Sequence, residues 1–198
     1  MKLEQTKIKT LMILYCVVIS VIVLSHSFLE GYGFHLDYTI SRYLGMTFWS
    51  AILFLATSII SSVAILKFIL KFKKEHEMNS LWFVFAILML AGLLGLSFCP
   101  IGLFDEVYGE FGIVSLCHRF FSITMFSSSI AFAGLSFLRL KEKSTRINLA
   151  TFAVYGTIVA VSYVMNIPFL MNYIFIFEGL FLIWIMAILY NLSRIRKK

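Results

Sequence analysis

The chain has 198 residues, of which 61% are hydrophobic and only 14% charged, and carries a formal charge of +7. Its mean hydropathy is +0.94. A soluble domain carries about 25% charged residues, so this composition excludes an ordinary soluble fold, and because the positive charges flank apolar segments they suit anionic lipid head groups rather than nucleic acid.

Six apolar stretches follow one another along the chain: Thr10–Leu29, Met46–Leu66, Leu81–Cys99, Val114–Phe137, Leu149–Ile167 and Asn172–Leu192. Each has about the 20 residues that cross a hydrocarbon core of about 30 Å as a helix. Helices are expected because each satisfies its own backbone hydrogen bonds in lipid. Barrel strands would alternate over short segments, and these runs are continuously apolar. The expected fold is an all-α polytopic membrane protein, a single six-transmembrane-helix bundle over residues 1–198. The first stretch also has a second reading. Met1–Lys9 is basic, and Ser25 and Ser27 flank His26 with the small-residue spacing of a signal-peptide cleavage site. A lipoprotein signal ending at Cys16 is disfavoured by bulky Tyr15 before it.

Charge sets the orientation. Of the 17 Lys and Arg, all but Arg42 and Arg119 fall in the amino-terminal segment, the loops after the second and fourth stretches, or the carboxy-terminal segment. Six crossings put all of these on one side, which the positive-inside rule assigns to the cytoplasm. The expectation is a multi-pass cell-membrane protein with both termini cytoplasmic, its basic loops contacting anionic lipid. The charged segment Lys71–Asn79 reads as a solvated turn between two crossings. Glu30, Asp37, Asp105, Glu106 and Glu110 fall on the opposite side. Linkers are short, no repeat is evident, and a homo-oligomer or a membrane-protein partner is left open.

Ionisable residues inside apolar spans cost roughly 2.5–3.5 kcal/mol each on insertion scales unless they find a partner or water. Four stand out: His26, His118, Arg119 and Glu178, all in the outward halves of their helices. His118 and Arg119 on the fourth helix and Glu178 on the sixth lie at matching depths. An Arg119–Glu178 or His118–Glu178 pair would offset the burial cost, either as a structural tie or as the lining of an outward-facing cavity. Adjacent helical residues diverge by about 100°, so His118 and Arg119 are expected to serve different neighbours. His26 and Glu30, four apart, share a face and either reach the same cavity or sit at the interface. The outer loop after the third stretch, Pro100–Gly112, holds Asp105, Glu106 and Glu110. These carboxylates bind a cation or simply keep the loop outside. Cys99 and Cys117 are expected at the outer ends of two consecutive helices, bridged or free. No residue pattern calls for a metal or a cofactor.

Two stretches carry a resemblance. Asp37 to Ser41 includes Thr39, Ile40 and Ser41 just before the second helix; Gly102 and Phe104 precede Leu116, Cys117 and His118. With six helices and the pair Glu178, Gly179 in the last, they resemble the prokaryotic membrane family called domain of unknown function nine-nine-eight. They are more distantly similar to the Frag1/DRAM/Sfk1 family of six-pass membrane proteins. The likeness covers nearly the whole chain. It implies a six-helix bundle in which Thr39, Ile40 and Ser41 lead into the second helix and a helical His118 follows the Gly102–Phe104 turn. Here the acidic insert Asp105–Glu110 is longer than in that family, and no Pro follows Phe104. The prokaryotic family carries no established reaction; the distant one is linked to membrane lipid organisation or remodelling.

Three functions are thus expected in order. The first is binding of a lipid head group or small polar ligand in an outward-facing pocket built from the first, fourth and sixth helices. There Arg119 would contact an anion, with Glu178, His118, His26 and Glu30 around it and Asp105, Glu106, Thr39 and Ser41 as loop candidates. The second is a membrane-embedded lipid-modifying enzyme using His118 as general base or metal ligand, with Glu178 or Asp105 as partner. The third is a small transporter.

Overall fold

A computed structural model describes residues 2–29, 33–100, 112–165 and 167–195. Their secondary structure is entirely helical: α1 (Lys2–Leu24) continuing into a π-helical turn (Ser25–Leu29), α2 (Ile40–Leu44), α3 (Phe48–Glu75), α4 (Ser80–Phe98), α5 (Ile113–Arg139), α6 (Lys143–Val164), α7 (Pro168–Asn172) and α8 (Ile174–Arg194). Among the described residues, five helices are long and apolar enough to cross a membrane, namely the α1 segment, α3, α4, α5 and α8. Large apolar side chains such as Ile60, Phe120, Ile123, Leu138 and Ile183 stand exposed on their flanks. A water-soluble bundle would turn such residues inward; hydrocarbon solvates them at no cost. Several buried hydroxyls are satisfied within their own helices. Thr57, Ser97, Ser129 and Ser136 each donate to the carbonyl four residues back, at 2.7–2.9 Å, the usual solution where no water is at hand.

The remaining expected stretch, the fifth in chain order, is α6. Its Thr145, Asn148, Thr151 and Thr157 make it less apolar than the others. At 22 residues it is about 33 Å long, and it runs antiparallel along α8. Asn148 Oδ1 accepts from Trp184 Nε1 at 2.6 Å near one end, Tyr155 donates to the Phe177 carbonyl at 2.9 Å, and Val159 meets Ile174 near the other.

Two further features hold the bundle together. At the basic end, Phe68, Ile69, Phe72, Trp82, Phe132, Phe152, Ile188 and Leu192 form a core with Ile8 of α1, each at most 5% exposed. Trp82 donates Nε1–H to Ser136 Oγ at 2.8 Å and stacks between Phe72 and Phe132. Farther along, α4 and α5 pack at close range on glycines: a Cβ at Gly92 would sit 2.6 Å from the Met125 backbone nitrogen, and one at Gly95 only 2.1 Å from the Phe121 ring. Small residues at such seams are how apolar helices associate where lipid removes the hydrophobic drive between them.

The structure departs from expectation at three places. α3 extends nine residues beyond Leu66 to Glu75, so Lys71–Asn79 is no simple solvated turn. Phe72 and Met78 are buried in it, and Glu77 takes a positive φ of 51° in the turn that follows the helix. Thr39, Ile40 and Ser41 do not lead directly into α3. They start a separate five-residue helix capped by Thr39, which Gly45 ends. α3 then begins afresh, with Ser50 Oγ accepting from Thr47 N–H at 3.2 Å and donating to its carbonyl at 2.9 Å. The third departure is α7, a single turn opened by Pro168, a residue suited to the first helical position because it lacks the N–H that would go unbonded there.

Candidate functional site

The short helix α2 organises the polar residues at the end of the bundle opposite the basic core. A five-residue helix cannot stabilise itself; α2 is held from both sides. From α8, Glu178 Oε2 accepts the Ile40 N–H at 2.7 Å. That donor is one of the groups a helix amino terminus leaves unpaired. From α5, His118 reaches Ser41, its Nε2 lying 3.2 Å from the hydroxyl. Beneath them Ile40, Tyr43 and Leu44 are buried. Tyr43 grips the preceding segment twice, accepting the His35 N–H at 2.6 Å and donating to its carbonyl at 3.2 Å. The Phe175 N–H donates to the Leu36 carbonyl at 3.1 Å, tying the same segment to α8.

The hydrogen-bond directions follow from the partners. His118 Nδ1 lies 2.7 Å from the Cys99 carbonyl. A carbonyl only accepts, so Nδ1 carries the proton, and in the neutral ring Nε2 presents a lone pair. Ser41 therefore donates to Nε2. Thr39 Oγ1, 3.0 Å from Ser41 Oγ, donates to it in turn while accepting from the Arg42 N–H at 3.1 Å. The result is one polarised run from Thr39 through Ser41 and His118 to the Cys99 carbonyl, joining α2, α5 and α4.

Below α2 lies a cavity of ≈ 40 Å³, its polar wall made by Ser41, Ser122 and Glu178 and its apolar wall by Tyr15, Leu93 and Phe126 among others. A second cavity of ≈ 50 Å³ continues toward the middle of the bundle, lined by Ser61, Ser129 and otherwise almost wholly apolar side chains. Tyr15, Leu93, Met125 and Leu182 border both. A water needs about 10–15 Å³ of such space, so each cavity has room for several atoms of a guest. Among the described residues no hydrogen bond reaches Glu178 Oε1, which leaves that oxygen to the cavity Glu178 lines.

The expected ion pair does not form. Arg119 is exposed while His118 beside it is buried, the divergence that the 100° step between neighbours allows. Glu178 spends one oxygen on a backbone N–H, and Ser41, not Glu178, partners His118. Nor is the pocket confined to three helices: Phe54 of α3, Leu93 and Leu96 of α4 and Ile40, Ser41 and Leu44 of α2 all line it. His26 is fully buried in the π-helical turn with its ring stacked on Trp49, centroids 5.3 Å apart, and borders neither cavity. Glu30, Asp105 and Glu106 lie outside the described residues. Thr39 and Ser41, expected only as loop candidates, prove to be at the centre. The residues missed altogether are Ser122, Tyr43 and the Ile40 N–H. A backbone donor has no residue-type signal, and a serine in an apolar helix reads as packing.

No protein-family model, no curated protein and no solved structure matches the chain.

Proposed function

We propose that the chain is a multi-pass integral membrane protein that holds an amphiphile. In this reading the guest's head lies against Ser41 and Glu178 and its apolar part lies in the deeper cavity. The carrying observation is the shared wall of Tyr15, Leu93, Met125 and Leu182 between a cavity that ends on a carboxylate and one that is nearly all apolar. Oε1 of Glu178, which no hydrogen bond reaches among the described residues, is an acceptor in the ionised carboxylate, so the complementary head is a hydrogen-bond donor, a hydroxyl or an ammonium, rather than the anion expected when Arg119 was placed inside. Two features support α6 as a sixth crossing with both termini cytoplasmic: its length along α8, and the gathering of Lys and Arg at one end. The head-group cavity then opens toward the outer leaflet, and the aromatic core around Trp82 closes the cytoplasmic half. That closure disfavours a transporter.

The test is native mass spectrometry of protein extracted from membranes in mild detergent. A retained lipid adduct is expected, lost in Leu93→Trp, which fills the shared wall, and reduced in Glu178→Gln. Arg119→Ala keeps it. Equal adducts in Leu93→Trp and the parent chain overturn the reading.

A second reading rests on one observation, the Ser41 hydroxyl donating to an imidazole whose tautomer a carbonyl holds. That is the arrangement of an activated nucleophile, in which a base accepts the hydroxyl proton and a third group orients the base. It would make the protein an ester-cleaving lipid enzyme with Ser41, not Glu178, beside His118. Covalent labelling by a fluorophosphonate probe, abolished in Ser41→Ala, is its signature; no labelling of the parent chain removes it.

A further inference from the structure

Cys99 caps the carboxy-terminal end of α4 and Cys117 lies in the first turn and a half of α5. Both are free thiols, partly exposed. The Cys117 thiol is a near neighbour of the Cys99 thiol. Their approach is not left to the connecting loop. The α4–α5 seam runs in a fixed antiparallel register, Gly92 against Met125 and Gly95 against Phe121, and one more turn along each helix brings Cys99 opposite Cys117. The Cys99 carbonyl is held there by His118 Nδ1 at 2.7 Å. Disulfides need a close backbone approach with the Cβ atoms directed at each other, and a glycine-packed seam supplies close approach. Among the described residues, no group of three His, Cys, Asp or Glu side chains could hold a metal ion, so the pair does not read as part of a metal centre with His118.

We propose that Cys99 and Cys117 are a modification site, oxidised to an intramolecular disulfide that staples the α4–α5 hairpin beside α2. The proposal rests on the outward orientation inferred above, which puts both thiols in a compartment where disulfides persist. The oxidant is a disulfide, either a small-molecule one or that of a thiol oxidoreductase. One protein thiol loses its proton to solvent. Its thiolate attacks a sulfur of the oxidant, whose S–S bond breaks as a mixed disulfide forms. The second protein thiol, deprotonated in turn, attacks the protein sulfur of that mixed disulfide and releases the other half of the oxidant, which has then left as two thiols or, for an oxidoreductase, as its dithiol. Two electrons pass from the cysteines to the oxidant, and the protons shed by the cysteines balance those it takes up. Because the staple spans the residue whose carbonyl sets the His118 tautomer, it would hold the Thr39–Ser41–His118 run in register.

The experiment has two arms. Detergent-purified protein is reduced, treated with oxidised glutathione, quenched with N-ethylmaleimide and mapped by mass spectrometry. A Cys99–Cys117 linked peptide is expected, lighter than the reduced pair by two hydrogens and absent in Cys99→Ser. Full alkylation of both cysteines, or stable glutathione adducts on each, overturns the pairing. In the second arm, intact cells are quenched before lysis and mapped in the same way. The linked peptide is again expected. A pair that links when purified yet stays reduced in cells overturns the modification by placing the thiols on the reducing side; that outcome leaves the cavities untouched, and a lost lipid adduct leaves the thiol pair untouched.

Discussion

Replacing Gly92 by Ala adds a single methyl group where α4 meets the α5 backbone at close range. The new Cβ would lie 2.6 Å from the Met125 nitrogen and 2.8 Å from its Cα, where ordinary contact begins at 3.4 Å. The obstacle is α5 backbone, which cannot swing aside as a side chain can, so the two helices must part by about 0.8 Å at that level. Overpacking of this kind costs about 1–3 kcal/mol, and the rigid neighbour puts Gly92→Ala at the upper end. For a chain of this size, 1 kcal/mol corresponds to about 2–4 °C in Tm, so a fall of several degrees is expected. The same displacement carried to the next turns would lengthen the 2.7 Å contact between His118 Nδ1 and the Cys99 carbonyl to the limit of a hydrogen bond. Fluorescence-detected size-exclusion chromatography after heating measures the first effect, and increased labelling or exchange around α2 the second. Gly134→Ala is the control, because a Cβ there meets nothing within 4 Å. A Gly92→Ala protein that melts with the parent chain would refute the close-packed seam.

Other perturbations separate the site from the scaffold. Glu178→Ala strands the Ile40 N–H and should cost about 1–3 kcal/mol, with faster hydrogen exchange confined to α2 and the His35–Thr39 segment; Glu178→Gln keeps an acceptor and should retain protection there. Trp82→Phe removes the bond to Ser136 but keeps an aromatic ring in the core, for a loss of about 1 kcal/mol, whereas Trp82→Ala should cost about 3–5 kcal/mol; matched denaturation curves of the two check the order. Arg119→Ala should change stability by less than about 0.5 kcal/mol, since its side chain is exposed on the outer face of α5.

Long apolar helices were legible without coordinates because a backbone in hydrocarbon has only itself to bond with, and continuous apolar runs of bilayer length leave it no other regular form. The inward turn of His118 and the outward turn of Arg119 were legible as a divergence, from helical geometry alone. Which of the two faced Glu178 was not. That was decided when α2, too short to register as a helix in the sequence, inserted its amino terminus between α5 and α8. Glu178 then met a backbone N–H instead of a charge, and His118 met Ser41. Residue types announce where a polar group is costly; only the packing of helices distant in the chain determines which donor relieves that cost.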